Sequence, residues 1–155
     1  MPSVFISANS RDYAYAEYVY KFLKNSGVDA FFCRRSLTEA GKSQFKDTID
    51  QALDASRHLV LVTSSAENTR SSWVKYEINL FTGEQIRRGG ELVIVRTDVL
   101  DETHLDITLR QHQILNYHTE LKQLPDYVQD SDNAVKKKVP LLHLRQISRL
   151  TEMVY

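Results

Sequence analysis

Cysteine is almost missing from this sequence: of 155 residues only Cys33 is one, so no intrachain disulfide can form and a disulfide-stapled scaffold is excluded. An unpaired thiol fits a reducing compartment, and the expected location is the cytoplasm. Long apolar runs are missing as well. The longest, such as Leu59-Val60-Leu61-Val62 and Leu92-Val93-Ile94-Val95, fall far short of the roughly 18 residues that a membrane-crossing helix needs. Val4-Phe5-Ile6 is too brief for the apolar part of a signal peptide, so no leader is expected. A net charge is missing too. Twenty Lys+Arg balance twenty Asp+Glu, no global field draws the chain to nucleic acid or an anionic membrane, and neither is expected as a direct partner.

What is there reads as one packed unit. Hydrophobic residues make up 42% and charged residues 26%, ordinary globular usage, and a chain of this length buries about 68–70% of its unfolded surface. Short β-rich runs alternate with longer segments of helical period, the rhythm of βα units around a parallel sheet. Strands are expected at 3–7, 28–32, 58–63, 92–96 and, as a weaker edge strand, 113–117. Ala8-Asn9-Ser10 supplies turn and cap chemistry before a helix over 11–26, whose stripe is Tyr15, Val19, Phe22 and Leu23 and whose end is Gly27. A polar loop over 33–42 leads to a helix over 43–55 with Phe45, Ile49 and Leu53 facing the sheet. His58–Thr63 is apolar on both faces, as a central parallel strand should be, and a polar loop over 64–70 follows it. Ser71 or Ser72 then caps a helix with Val74, Ile78 and Phe81 inward, running towards Gly89-Gly90. The acid-rich stretch 98–106 reads as loop and 120–128 as a short final helix.

The expected fold is α/β: a flavodoxin-like, five-stranded parallel sheet of order 2-1-3-4-5 with helices on both faces, over residues 1–128. Residues 129–155 change character. Asp130-Ser131-Asp132-Asn133 is linker-like and Lys136-Lys137-Lys138 is basic; Pro140 then opens an amphipathic stretch with Leu141, Leu144, Ile147, Leu150 and Val154 on one face, packed on the core or facing a partner.

Several chemistries fail on particular residues. Ala40-Gly41-Lys42-Ser43 lies where a phosphate-binding P-loop would end, but Ser36 stands at the leading glycine. The histidines, His58, His104, His112, His118 and His143, are scattered, and with one cysteine there is no zinc spacing. Cys33 itself reads as a packing residue. A phosphoacceptor receiver needs carboxylates where this chain has Ser7-Ala8-Asn9 and Thr63-Ser64-Ser65, and the same turn offers no glycine for a flavin phosphate. No metal or cofactor is expected.

Trp73 and Glu77 survive that elimination. They are i and i+4 on one helix, beside the inward stripe headed by Val74, and that helix follows the third strand. With strand order 2-1-3-4-5 the ligand crevice lies outside the C-terminal ends of the first and third strands, and Glu77 is expected to look towards it. Most helical glutamates are merely solvated, so this spacing alone assigns nothing.

The ordered set of short motifs resembles the Toll/interleukin-1 receptor (TIR) domain over about residues 3–128, and in particular its NAD-cleaving bacterial-type effectors. Val4-Phe5-Ile6-Ser7 with Ser10-x-Asp12 resembles the family's first box. Leu37 with Glu39-Ala40-Gly41-Lys42 resembles the loop after its second strand, Leu59 to Ser64 its central strand, and Trp73-x-x-x-Glu77 the motif of its NAD-cleaving members. The resemblance implies that Glu77 is the catalytic glutamate. It also implies that Trp73 lines the substrate cleft, with Ser7, Ala8 and Asn9 and the loop bearing Arg34, Leu37, Lys42 and Ser43 as the opposite wall. Cys33 stands where many members carry an acidic residue, and Arg34-Arg35 makes the loop basic, which suits a pyrophosphate.

The implied activity is hydrolysis or cyclisation of NAD to nicotinamide and ADP-ribose or a cyclic isomer. NAD is then substrate rather than cofactor. The implied setting is immune or cell-death signalling, antiviral defence included, with homotypic self-association and a fused or separate sensor module as partners. The alternative is a non-enzymatic TIR scaffold that signals by homotypic contact alone.

Overall fold

The computed structural model describes residues 3–32, 42–84, 89–97 and 99–129. Its centre is a sheet of five strands: β1 (Val4–Ser7), β2 (Ala30–Phe32), β3 (His58–Thr63), β4 (Leu92–Arg96) and β5 (Gln113–Asn116). All pairings are parallel and the order is β2-β1-β3-β4-β5, as expected. Phe5 of β1 stands opposite Phe31 on one side and Leu59 on the other, and Leu61 stands opposite Ile94. Every residue of β3 is buried, because a central strand of a doubly covered sheet has no wet face.

The helices are α1 (Tyr13–Asn25), α2 (Lys42–Ala55), the single turn α3 (Ala66–Thr69), α4 (Ser72–Glu84), the single turn α5 (Ile107–Arg110) and α6 (Leu124–Val128). The step from β1 to β2 runs one way across the sheet and every later step runs the other way. Right-handed crossovers therefore send the connections to opposite faces. Val4, Ile6, Val60 and Val62 pack with Ala16, Val19 and Leu23 of α1 and with Leu124 and Val128 of α6. Phe5, Leu59, Leu61 and Ile94 pack on the other face with Ile49 and Leu53 of α2, with Val74 and Phe81 of α4, and with Leu105 and Leu109.

Local departures from the expected boundaries have identifiable causes. A 3-10 turn, Ser10–Asp12, precedes α1, capped by the Asn9 side chain, which accepts from the Arg11 amide at 3.0 Å. The buried stripe of α1 is Ala16, Val19 and Leu23, with Tyr15 and Phe22 only half-buried at its margins. Strand β2 begins at Ala30 rather than at 28, because Gly27, at φ 82°, ends α1 and the Val28 amide turns back to the Leu23 carbonyl at 2.9 Å. The expected loop 64–70 holds α3, capped by Ser65, and the expected loop 98–106 holds a 3-10 turn, Glu102–His104, capped by Asp101. The final helix is split into a 3-10 turn, Leu121–Gln123, and α6. Among the described residues no helix is long and apolar enough to cross a membrane. The expectations for Cys33, Arg34, Arg35 and Leu37, and for the amphipathic stretch within 130–155, lie outside the described residues.

Candidate functional site

Ser7 is the last residue of β1. Alternation along the strand puts it on the same side as Phe5, towards α2 and α4. Helix α4 is held against that face by buried Val74 and Phe81, and Tyr76 ties it to α2 by donating to Asp50 at 2.7 Å. Between Val74 and Phe81 on the same buried face sits Glu77. Its exposure is 1%, equal to that of Ser7. The Ser7 hydroxyl donates to Glu77 Oε1 at 3.2 Å, while Oε2 has no hydrogen-bond partner among the described residues. Burial pushes the Glu77 carboxyl up to about 8, and the Ser7 hydrogen bond opposes that rise only in part.

The sequence reading set Trp73 and Glu77 together at the margin of the buried stripe, and for Glu77 this is corrected. At about 100° per residue Trp73 lies a full step of about 100° to one side of Val74, whereas Glu77, one turn after Trp73, lies on that same side but only about 60° from Val74 and about 40° from Phe81. Glu77 is therefore in the stripe. Trp73 remains at the margin, half-buried, packed against the α2 and α4 side of the core and stacked on Tyr76 with ring centroids 5.5 Å apart.

The other residues singled out from sequence fall in three places. Ala8 is buried in the α1-side core and Asn9 caps the turn that follows, so both shape the chain as it leaves β1 beside Ser7. Lys42 and Ser43 open α2. Arg34 and Leu37 lie outside the described residues. Ser7 and Glu77 are brought together directly, across 70 positions of sequence, and that contact joins the end of β1 to the helix that follows β3.

Sequence reasoning passed over a second buried carboxylate. Asp12, with no exposed surface, accepts from the Ser64 hydroxyl at 2.5 Å and from the Asn68 side-chain amide at 3.0 Å. In the sequence Asp12 appears only as the end of Ser10-x-Asp12, in the first turn of the helix expected over 11–26, where an acidic residue reads as ordinary first-turn chemistry. A cavity of about 450 Å³ between α1 and the chain after β5, lined in part by Tyr18, Tyr117 and Lys122, contains none of these residues.

A doubly wound sheet with a buried carboxyl against the end of β1, where the strand order reverses, defines a flavodoxin-like α/β architecture with a buried polar contact at the switch point. The family model described as TIR domain matches residues 4–130, and the chain belongs to the TIR-domain family. No curated protein matches it. Among solved structures, a metazoan TIR-STING receptor from C. gigas is similar at 22% identity over 74% of this chain and 37% of that one, with a TM-score of 0.58. The same receptor in complex with 2',3'-cGAMP is similar at 18% identity over 84% of this chain and 40% of that one, with a TM-score of 0.67. This chain thus spans about two fifths of the length of those receptor chains, and what it shares with them is the fold.

Proposed function

We propose that this TIR domain cleaves the bond between nicotinamide and ribose in NAD, with Glu77 as the catalytic residue. The observation that carries the proposal is the half-satisfied carboxyl itself: buried at the switch point, bonded through one oxygen to Ser7 and, among the described residues, without a partner at the other. A buried polar atom without a partner is costly, on the order of 1–3 kcal/mol, and such atoms persist where a ligand completes them.

The chemistry asks little of the protein. Nicotinamide in NAD is already a cationic leaving group, so the glycosidic bond breaks without a general acid. Positive charge then develops on the ribose, and a carboxylate in a low-dielectric site opposes it most strongly there. Water, or the adenine of the same molecule, completes the reaction as linear or cyclic ADP-ribose. A carboxyl pushed up to about 8 is mostly protonated at pH 7 in the free protein. A pyridinium brought beside Oε2 favours its ionised form, so the charge that catalysis uses forms as the substrate arrives. The Trp73 ring, already stacked on Tyr76, offers a platform for a base; the cations for the pyrophosphate are, on the family resemblance alone, those of Lys42 and Arg34.

This activity fits an effector of immune or cell-death signalling in the cytoplasm, switched on by homotypic assembly. The zero net charge leaves little long-range repulsion to oppose self-association. The deciding experiment incubates purified protein with NAD and measures nicotinamide. Release by the native chain and its loss in Glu77→Gln support the assignment, and equal release by both overturns the role of Glu77.

A further inference from the structure

Asp12 occupies the position before the first residue of α1, where an aspartate ordinarily caps its own helix, yet its side chain makes no capping bond. Both oxygens are used elsewhere. Oδ1 accepts from Ser64 and Oδ2 from Asn68, residues of the connection that leaves β3, 52 and 56 positions further along the chain. Asn68 is itself fixed, because its backbone amide donates to the Ser65 side chain at 3.1 Å. On the near side, the Asp12 amide donates to the Asn9 carbonyl at 2.8 Å, two residues beyond Ser7. On the far side, Ser71 accepts from the Val74 amide at 3.4 Å where α4 begins, one turn before Glu77. One buried carboxylate thus joins the two turns at the C-terminal ends of β1 and β3; the first follows Ser7 directly, and the second leads into α4, whose second turn carries Glu77.

We propose that Asp12 is a positioning residue for Glu77: by tying the turn after β1 to the turn after β3 it fixes where α4 sets out, and so holds the Glu77 carboxyl against Ser7. The inference rests on the proposed function only for what Glu77 does, not for where it stands. Buried carboxylates that serve local capping need no partner across the sheet, and a polar network that closes fully in a low-dielectric interior is stiff. Stiffness is what a reactive group needs, since a misplacement of about 1 Å costs as much as ~100-fold in rate.

The test exchanges donor and acceptor across the 3.0 Å contact. Asn68→Asp sets two carboxyls face to face and opens the brace; adding Asp12→Asn restores one amide and one carboxylate in reversed order. Two readouts are taken on folded protein: the titration midpoint of the Glu77 side-chain carboxyl by 13C NMR, and kcat against KM for nicotinamide release. Asn68→Asp is expected to raise the Glu77 midpoint, because the Ser7 bond that favours the charged form is lost, and to lower kcat by about 10-fold or more with KM little changed. The double variant is expected to recover both. Should Asn68→Asp not fold, Asp12→Asn alone, which keeps one acceptor, is read the same way with smaller shifts. An unchanged Glu77 midpoint in a folded variant of lowered stability would make Asp12 a fold residue only and overturn the proposal, as would a double variant that folds without restoring the midpoint. If the native protein releases no nicotinamide, the proposed function fails, and the NMR midpoint still decides the brace.

Discussion

Among the described residues two carboxylates are sealed at the same end of the sheet, and they are kept in opposite ways. Asp12 has both oxygens occupied, by a hydroxyl and an amide from across the sheet. Glu77 has one oxygen on Ser7 and the other on nothing that the described residues supply. Burial of a charge is tolerated where partners replace water, and Asp12 meets that condition. Glu77 does not, and its proton affinity rises to about 8 as a result. The first arrangement makes structure. The second leaves, among the described residues, one carboxyl oxygen unsatisfied, and a proton or a ligand would relieve it.

The largest effect is expected from removing the charge at the half-satisfied member. Glu77→Gln keeps shape and the Ser7 contact but cannot oppose a developing cation, so nicotinamide release should fall by about 100- to 1000-fold, read as kcat on folded protein. The same substitution should stabilise the domain. A glutamate whose folded-state value is raised from 4.5 to about 8 holds a proton that the unfolded chain releases, so wild-type stability is fully present below about 4.5 and is lost as pH rises through about 8. Glutamine does not titrate. At pH 7 the variant should therefore be more stable by on the order of 3 kcal/mol, at pH 4 by almost nothing, as urea midpoints at the two pH values will tell.

Smaller effects sharpen the contrast. Ser7→Ala leaves Glu77 with no hydrogen-bond donor among the described residues, and should lower kcat/KM by roughly 10-fold at neutral pH while moving its pH profile upward by about one unit. Trp73→Ala separates cleft from core. A half-buried ring that serves as a platform should raise KM several-fold and cost about 1–2 kcal/mol, whereas 3–5 kcal/mol with unchanged kinetics in the folded fraction identifies a packing residue. Finally, specific activity followed across a dilution series with sizing of the species should rise with concentration if assembly completes the site; a flat series removes the assembly requirement and leaves the Glu77 assignment standing.

Strand order and the covered central strand were legible in the chain, because alternation of βα units and the apolar runs around His58–Thr63 and Leu92–Arg96 admit few topologies, while the family was legible through the resemblance of its ordered short motifs. Trp73-x-x-x-Glu77 pointed to the glutamate that proved buried. Its environment was not legible. A glutamate between Val74 and Phe81 looks like an interruption of a core stripe until Ser7 is known to reach it from 70 residues away. The brace at Asp12 was hidden for the same reason: Ser64 and Asn68 are turn residues by local rules, and only the fold sets them around one carboxylate.

The measurement that bears most directly on the central claim is nicotinamide release from NAD by the native domain from pH 5 to 9.5, expressed as kcat/KM. If catalysis uses the ionised form of the half-satisfied carboxyl, kcat/KM should climb about 10-fold per pH unit and level off near 8, with Glu77→Gln showing only a flat residue of activity. A native profile that is flat over this range, or native protein that releases no nicotinamide at any pH, would contradict the account.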